Sequence, residues 1–178
     1  MMRAKSLVWI AGLLWLSFLT TTVQAQPIKA FYGQYIGHVN GQAAADRDLS
    51  VTIGPSGSAG FFVSWATVIH KSQGSQRKEY RINFLPSRRQ NIYSSAMKTN
   101  VFGAQISLDP LKGDPYVWAR IKGNTLTVHS LTITSDGGYQ MQIYNRTLND
   151  QGLLLEYRRL QSGEPLRQVT AQLVKVAD

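Results

Sequence analysis

The chain predicts an all-β fold, a closed up-and-down antiparallel barrel of about 8–10 strands, and three observations predict it. Apolar and polar residues alternate with a period of two along most of residues 31–173. Clusters of Gly, Pro, Ser and Asn interrupt that alternation at hairpin intervals, and no segment of helical length carries apolar residues at three-and-four spacing. A sheet of so many consecutive strands would curl, and closure removes its exposed edges. A two-sheet β-sandwich is the alternative; its longer crossings could come only from residues 40–47 and 101–115.

The elements follow in order. Phe31, Gly33, Tyr35, Gly37 and Val39 share one face of a first strand, and Leu49, Val51 and Ile53 one face of a second. The run Gly54–Gly60 reads as a turn. Phe61, Val63, Trp65, Thr67 and Ile69 then alternate with Phe62, Ala66 and Val68, and Ser72–Ser75 turns the chain. Tyr80, Ile82 and Phe84 alternate with Glu79, Arg81 and Asn83 up to Pro86, and a weaker strand holds Ile92, Tyr93 and Met97. Beyond residue 115, strands are expected over Tyr116–Ile121, over Leu126–Ile133, and around Tyr139-Met141-Ile143, Leu153-Leu155-Tyr157 and Val169-Ala171-Leu173. Leu126 and Val128 have one parity, Leu131 and Ile133 the other, which predicts a bulge near His129-Ser130.

The first 25 residues read as a leader rather than part of the fold. Arg3 and Lys5 precede a nearly unbroken apolar stretch from Ser6 to Leu19, and Val23-Gln24-Ala25 resembles a small-residue cleavage site. The stretch is shorter than the roughly 20 residues that span a bilayer, so a secretory signal peptide is expected over an uncleaved anchor helix. Cleavage near Ala25 leaves residues 26–178 as a single β-barrel domain, periplasmic or secreted. The chain has no cysteine, which removes thiol catalysis, Cys-based zinc sites and structural disulfides. Its formal charge is +9, with 19 Lys and Arg against 10 Asp and Glu. No basic run or nucleic-acid motif accompanies that excess, which fits an ordinary solvated surface first and attraction to an anionic surface such as phospholipid headgroups second.

The segment Phe31-Tyr32-Gly33-Gln34-Tyr35-Ile36-Gly37 resembles the Gly-x-Trp-x-Gly pattern that opens the first strand of calycin barrels, with Tyr35 in the Trp place. Lipocalins, fatty-acid-binding proteins and nitrobindin-like barrels belong to that group. The resemblance implies a barrel with an interior cavity for an apolar ligand. It also implies that Tyr35 plugs the closed end, with a basic residue such as Arg158 or Arg159 packed on it. The lipocalin cysteine pair and C-terminal helix are absent. The segment Asp109-Pro110-Leu111-Lys112-Gly113-Asp114-Pro115 is similar to one in an uncharacterised family of exported bacterial proteins, a resemblance that carries no activity.

Candidate ligand-binding residues are the alternating aromatic and sulfur side chains: Tyr35, Phe61, Trp65, Tyr80, Trp118, Tyr139, Met141 and Tyr157. Phe84 belongs to the same set. A barrel of this size can hold one small ligand, and buried Tyr and Trp need partners for their polar atoms; a filled core of the same rings is the alternative. Residues 101–115 are too apolar for a freely solvated loop. Phe102, Leu108, Asp109, Leu111, Lys112 and Asp114 are expected to form a lid over the mouth or a plug in one end. His38, His70 and His129 do not cluster, no metal site is expected, and haem ligation by His70 or His129 has little support.

The leading expectation is an exported barrel that binds a small apolar or amphipathic, lipid-like ligand in its interior. The alternative is a cell-envelope scaffold whose Arg77, Lys78, Arg81, Arg88 and Arg89 form one basic patch against an anionic membrane or an acidic partner. An enzyme using Asp109, Lys112 and Asp114 is the least supported class, since no catalytic motif is present and no cofactor is expected.

Overall fold

The structure is a computed structural model of the chain. It describes residues 27–39, 46–95, 98–99, 105–106 and 108–178. The expected leader lies outside the described residues.

The described residues form twelve strands: β1 Gly33–Val39, β2 Arg47–Ser56, β3 Gly60–Lys71, β4 Gly74–Pro86, β5 Ile92–Ser95, β6 Lys98–Thr99, β7 Gln105–Ile106, β8 Tyr116–Lys122, β9 Thr125–Ile133, β10 Tyr139–Asn149, β11 Gly152–Gln161 and β12 Glu164–Ala177. Ten of them close into one antiparallel barrel in the order β1-β12-β11-β10-β9-β8-β5-β4-β3-β2. Among the described residues, strands β6 and β7 pair with each other in a separate two-stranded sheet between β5 and β8 in the chain. The barrel, not the sandwich, is therefore the architecture.

The Gly-x-Tyr-x-Gly spacing sits on the closing seam between β1 and β12. Gly33 has φ +142°, and a Cβ there would lie 2.5 Å from Lys175 Cε and 2.7 Å from the Ala177 carbonyl oxygen. A Cβ on Gly37 would lie 2.5 Å from both the Gln172 carbonyl oxygen and Leu173 Cδ2. Only hydrogen side chains let the last strand approach the first this closely.

One end of the barrel is packed solid. A 3-10 turn, Ile28–Phe31, lies across it and drives Phe31 inside, where the Tyr35 hydroxyl donates to the Phe31 carbonyl at 2.9 Å. Ile53, Phe61, Val63, Phe84, Leu126, Leu153 and Leu173 fill the same end with essentially no exposed surface. Phe61 stacks on Phe84 at 5.0 Å and meets Tyr93 edge-on at 5.0 Å. Each such ring or branched chain contributes about 1.5–3 kcal/mol by leaving water. Tyr35 thus plugs the closed end, and the basic group near it is Lys175, its register partner across the seam. Arg158 and Arg159 lie elsewhere.

The bulge expected at His129-Ser130 is absent. β9 pairs without interruption from Thr125 to Ile133 with β10. Leu126 and Val128 face inward while Leu131 and Ile133 keep the opposite parity and face outward, because the outer wall here is itself apolar. The row Tyr116–Leu131–Met141–Leu160 runs across β8, β9, β10 and β11 on that outer surface. A register shift occurs instead at Arg159/Leu160, where β11 meets β12.

Candidate functional site

The half of the barrel away from the Phe31 plug is hollow. A cavity of about 560 Å³ opens there, within the range of roughly 300–1,000 Å³ that small-molecule sites occupy. Val51, Ile82, Val117, Val128 and Leu155 are among the apolar side chains of its wall. A belt of aromatic rings crosses its middle. Trp65 stacks on its cross-strand neighbour Tyr80 at 5.4 Å, approaches Tyr144 at 5.5 Å, and Tyr144 in turn meets Tyr157 at 4.7 Å. Tyr80 lines the cavity yet is 53% exposed, which marks the open side.

Period-two geometry decides which aromatics reach this belt. Val51, Trp65 and Tyr80 are register partners on β2, β3 and β4, and Val128, Tyr144 and Tyr157 are register partners on β9, β10 and β11. The Tyr144 and Tyr157 hydroxyls both donate to Gln142 Oε1, at 2.9 and 3.3 Å. Burial raises the pKa of each phenol, Tyr144 the more strongly, so both remain neutral donors. Their polar ends are satisfied inside a partly apolar chamber, as buried tyrosines require.

Of the eight residues expected to bind a ligand, the structure brings three to the cavity: Trp65, Tyr80 and Tyr157. Tyr35 and Phe61 belong to the packed closed end beneath it. Trp118, Tyr139 and Met141 have the opposite parity and stand on the outer wall, Trp118 stacked on His129 at 4.7 Å. Burial and the nearby Arg120 lower the His129 pKa, so the ring is neutral at pH 7. Among the described residues no group of histidines and carboxylates could hold a metal ion.

Of the expected lid, Phe102 lies outside the described residues. Asp109 accepts from the Leu111 backbone N–H at 3.1 Å and caps a 3-10 turn over Pro110–Lys112. Asp114 accepts from the Asp109 N–H at 3.3 Å, and Lys112 pairs with Asp109 at 3.5 Å. Both carboxylates and the lysine therefore shape the loop itself. Leu108 is half-buried, whereas Leu111 is exposed to solvent. Among the described residues of this segment, only Pro115 lines the cavity.

Sequence reasoning missed the cations. Arg47, Lys78, Arg146, Arg159 and Arg167 all line the cavity, and among the described residues no Asp or Glu does. Arg146, facing Leu126 and Leu155 across the ladder, is 1% exposed. Its Nε and Nη1 have no protein acceptor, and its guanidinium lies 5.7 Å from the Trp65 ring and 5.5 Å from the Tyr144 ring. Burial pushes its pKa down to about 10, against the opposing pull of Tyr144, so it remains a cation at neutral pH. Arg159 and Arg167 sit directly opposite each other on β11 and β12, and the buried Nε of Arg159 and of Arg47 also lack acceptors. Like charges placed opposite one another on one face repel.

The five residues expected to form one basic patch are dispersed. Arg77 pairs with Glu79 at 3.1 Å, Lys78 faces the cavity, and Arg81 lies over the Phe62 ring at 3.5 Å on the outer face. Arg88 and Arg89 follow β4 at the opposite end of the barrel, beyond a stretch of about 30 Å from Arg77 to Pro86 at the rise of an extended strand. A scan against protein-family models gives no match for this chain, and a search of curated proteins gives none either.

Proposed function

We propose that the protein is an exported carrier that holds one small amphipathic, lipid-like molecule inside the barrel. The observation that carries this reading is the split interior: one end packed solid around Phe31 and Tyr35, the other a cavity of about 560 Å³ with aliphatic side chains in its wall and an aromatic belt. A barrel built only as a scaffold gains from filling its centre, since close packing adds dispersion contacts at every layer. Here the filling stops half way, and four rings stand around the space above. The N-terminal basic-then-apolar segment supports export.

The test uses residues 26–178 carrying Trp118→Phe, so that Trp65 is the sole tryptophan. N-phenyl-1-naphthylamine, a neutral apolar dye, is titrated in. The carrier reading expects saturable energy transfer from Trp65 at one dye per chain, lost when Val169→Phe fills the chamber. Linear, non-saturating transfer, or transfer untouched by Val169→Phe in a folded protein, contradicts it.

A further inference from the structure

We infer that the molecule this cavity takes is an anion: an acidic amphiphile whose acid group seats on Arg146 and whose apolar body lies along the Trp65–Tyr80–Tyr144–Tyr157 belt. The inference rests on the carrier reading and adds the chemical class of its ligand. Three independent placements point the same way.

The first is Arg146 itself. It is fully buried at the cavity floor, and two of its three guanidinium nitrogens lack an acceptor. A buried cation is ordinarily paired, because removal from water is costly without a counter-charge. None of the described carboxylates pairs with it, and the rings of Trp65 and Tyr144 supply only cation–π attraction. Planar donors held in an apolar chamber match a carboxylate or phosphate, both of which a guanidinium can grip in a fork.

The second is the upper tier. Arg159 faces Arg167 on adjacent strands with no acid between them, and Arg47 and Lys78 complete the set around the chamber. The only acid close to them in sequence on β4, Glu79, points outward to Arg77. Charges of one sign around a low-dielectric opening focus the field and draw in the opposite ion. Arg159 lies four residues along β11 from Leu155, the partner of Arg146, which separates the tiers by about 13 Å.

The third is what fills that separation. Between the floor cation and the upper cations lie the aromatic belt and Val169, a surface that would hold an aliphatic or aromatic body. The order is cation, apolar belt, cations. An acid-first amphiphile satisfies the floor with its head and the belt with its chain, and passes the upper tier on entry.

The experiment displaces N-phenyl-1-naphthylamine from the Trp118→Phe protein with four twelve-carbon probes: dodecanoate, dodecyl phosphate, dodecanol and dodecyltrimethylammonium. The acid probes should displace the dye at roughly 10- to 100-fold lower concentration than dodecanol, the range expected for charged hydrogen bonds. Dodecyltrimethylammonium should be the weakest. Arg146→Met should bring dodecanoate to within about threefold of dodecanol, each displacement being read against the dye affinity of that same variant. Whichever of dodecanoate and dodecyl phosphate binds more tightly identifies the head group as carboxylate or phosphate. Equal displacement by dodecanoate, dodecanol and the ammonium probe in the unsubstituted protein overturns the inference and leaves the carrier reading standing; this comparison needs no variant to fold. Failure of the dye itself to bind overturns the carrier reading, and the inference with it.

Discussion

Replacing Arg146 by methionine should make the empty protein more stable. The Arg146 guanidinium is fully buried, carries no carboxylate partner among the described residues, and titrates near 10. Set against the higher value of an exposed arginine, and at about 1.36 kcal/mol for each pH unit, the folded state bears a cost of about 3 kcal/mol for keeping this charge. The sign follows from linkage. A cation whose folded pKa is depressed weakens the fold at every pH below that value, and the cost disappears as pH rises from about 10 through the unfolded value. Methionine removes the charge and keeps an unbranched chain against Leu126, Leu155 and Trp65. It also gives up the cation–π contacts with Trp65 and Tyr144, worth about 1 kcal/mol. The net expectation is a gain of about 2 kcal/mol, in line with other replacements of buried charges by apolar groups. In a domain of this length that is a rise of roughly 4–8 °C in Tm. Urea unfolding at pH 7 measures it, on protein stripped of bound amphiphile by passage through an apolar resin. Adding dodecanoate should raise the Tm of the unsubstituted protein and leave Arg146→Met almost unmoved. A loss of 2 kcal/mol or more on substitution would mean that Arg146 is a satisfied structural member, and the reasoning from its orphaned nitrogens would fail.

Other expectations are simpler. Gly37→Ala should cost about 2 kcal/mol in urea unfolding, because its Cβ would meet the Gln172 carbonyl and Leu173 at the closing seam; an unchanged midpoint would show that β1 and β12 are not held this close. The stability that neutral His129 confers is complete above about pH 6.5 and is lost as pH falls through its depressed value. His129→Gln should flatten that part of the pH profile, read by thermal melts from pH 8 to pH 4. Met141→Lys on the outer wall should leave dye affinity within about twofold, whereas Tyr157→Ala in the belt should weaken it several-fold by fluorescence titration. Equal effects of the two would place the dye outside the barrel.

The barrel was legible because period-two alternation and turn residues are local signals, and ten successive strands leave closure as the economical solution. The Gly33-x-Tyr35-x-Gly37 spacing was visible in the sequence, but its cause, the seam with β12 that only glycine permits, joins residues far apart in the chain. The cavity was legible in part. Trp65, Tyr80 and Tyr157 share a face with residues that are apolar in every strand. Trp118, Tyr139 and Met141 were read as interior because they are large and apolar, but the outer wall of β8–β11 is also apolar, so hydrophobicity no longer separates in from out. The same ambiguity produced the expected bulge at His129-Ser130. Only register resolves it, and register depends on partners far apart in sequence. Arg146 carried a readable signal: it has the parity of Tyr144 and Leu148, so a strand reading that held parity strictly puts a charge inside. Arg159 shares parity with Tyr157, and Arg167 with Val169, in the same way. An arginine on an inward position conflicts with its local pattern, and such conflicts concentrate at functional sites.

The most direct test of the account is a crystal structure of residues 26–178 grown with 12-bromododecanoate, with the bromine located by its anomalous scattering. The account expects one bromine per chain above the aromatic belt, toward Arg47 and Arg167, with carboxylate density at Arg146. Bromine confined to the outer wall around Trp118 and Met141, or a chamber filled by its own side chains, would contradict it.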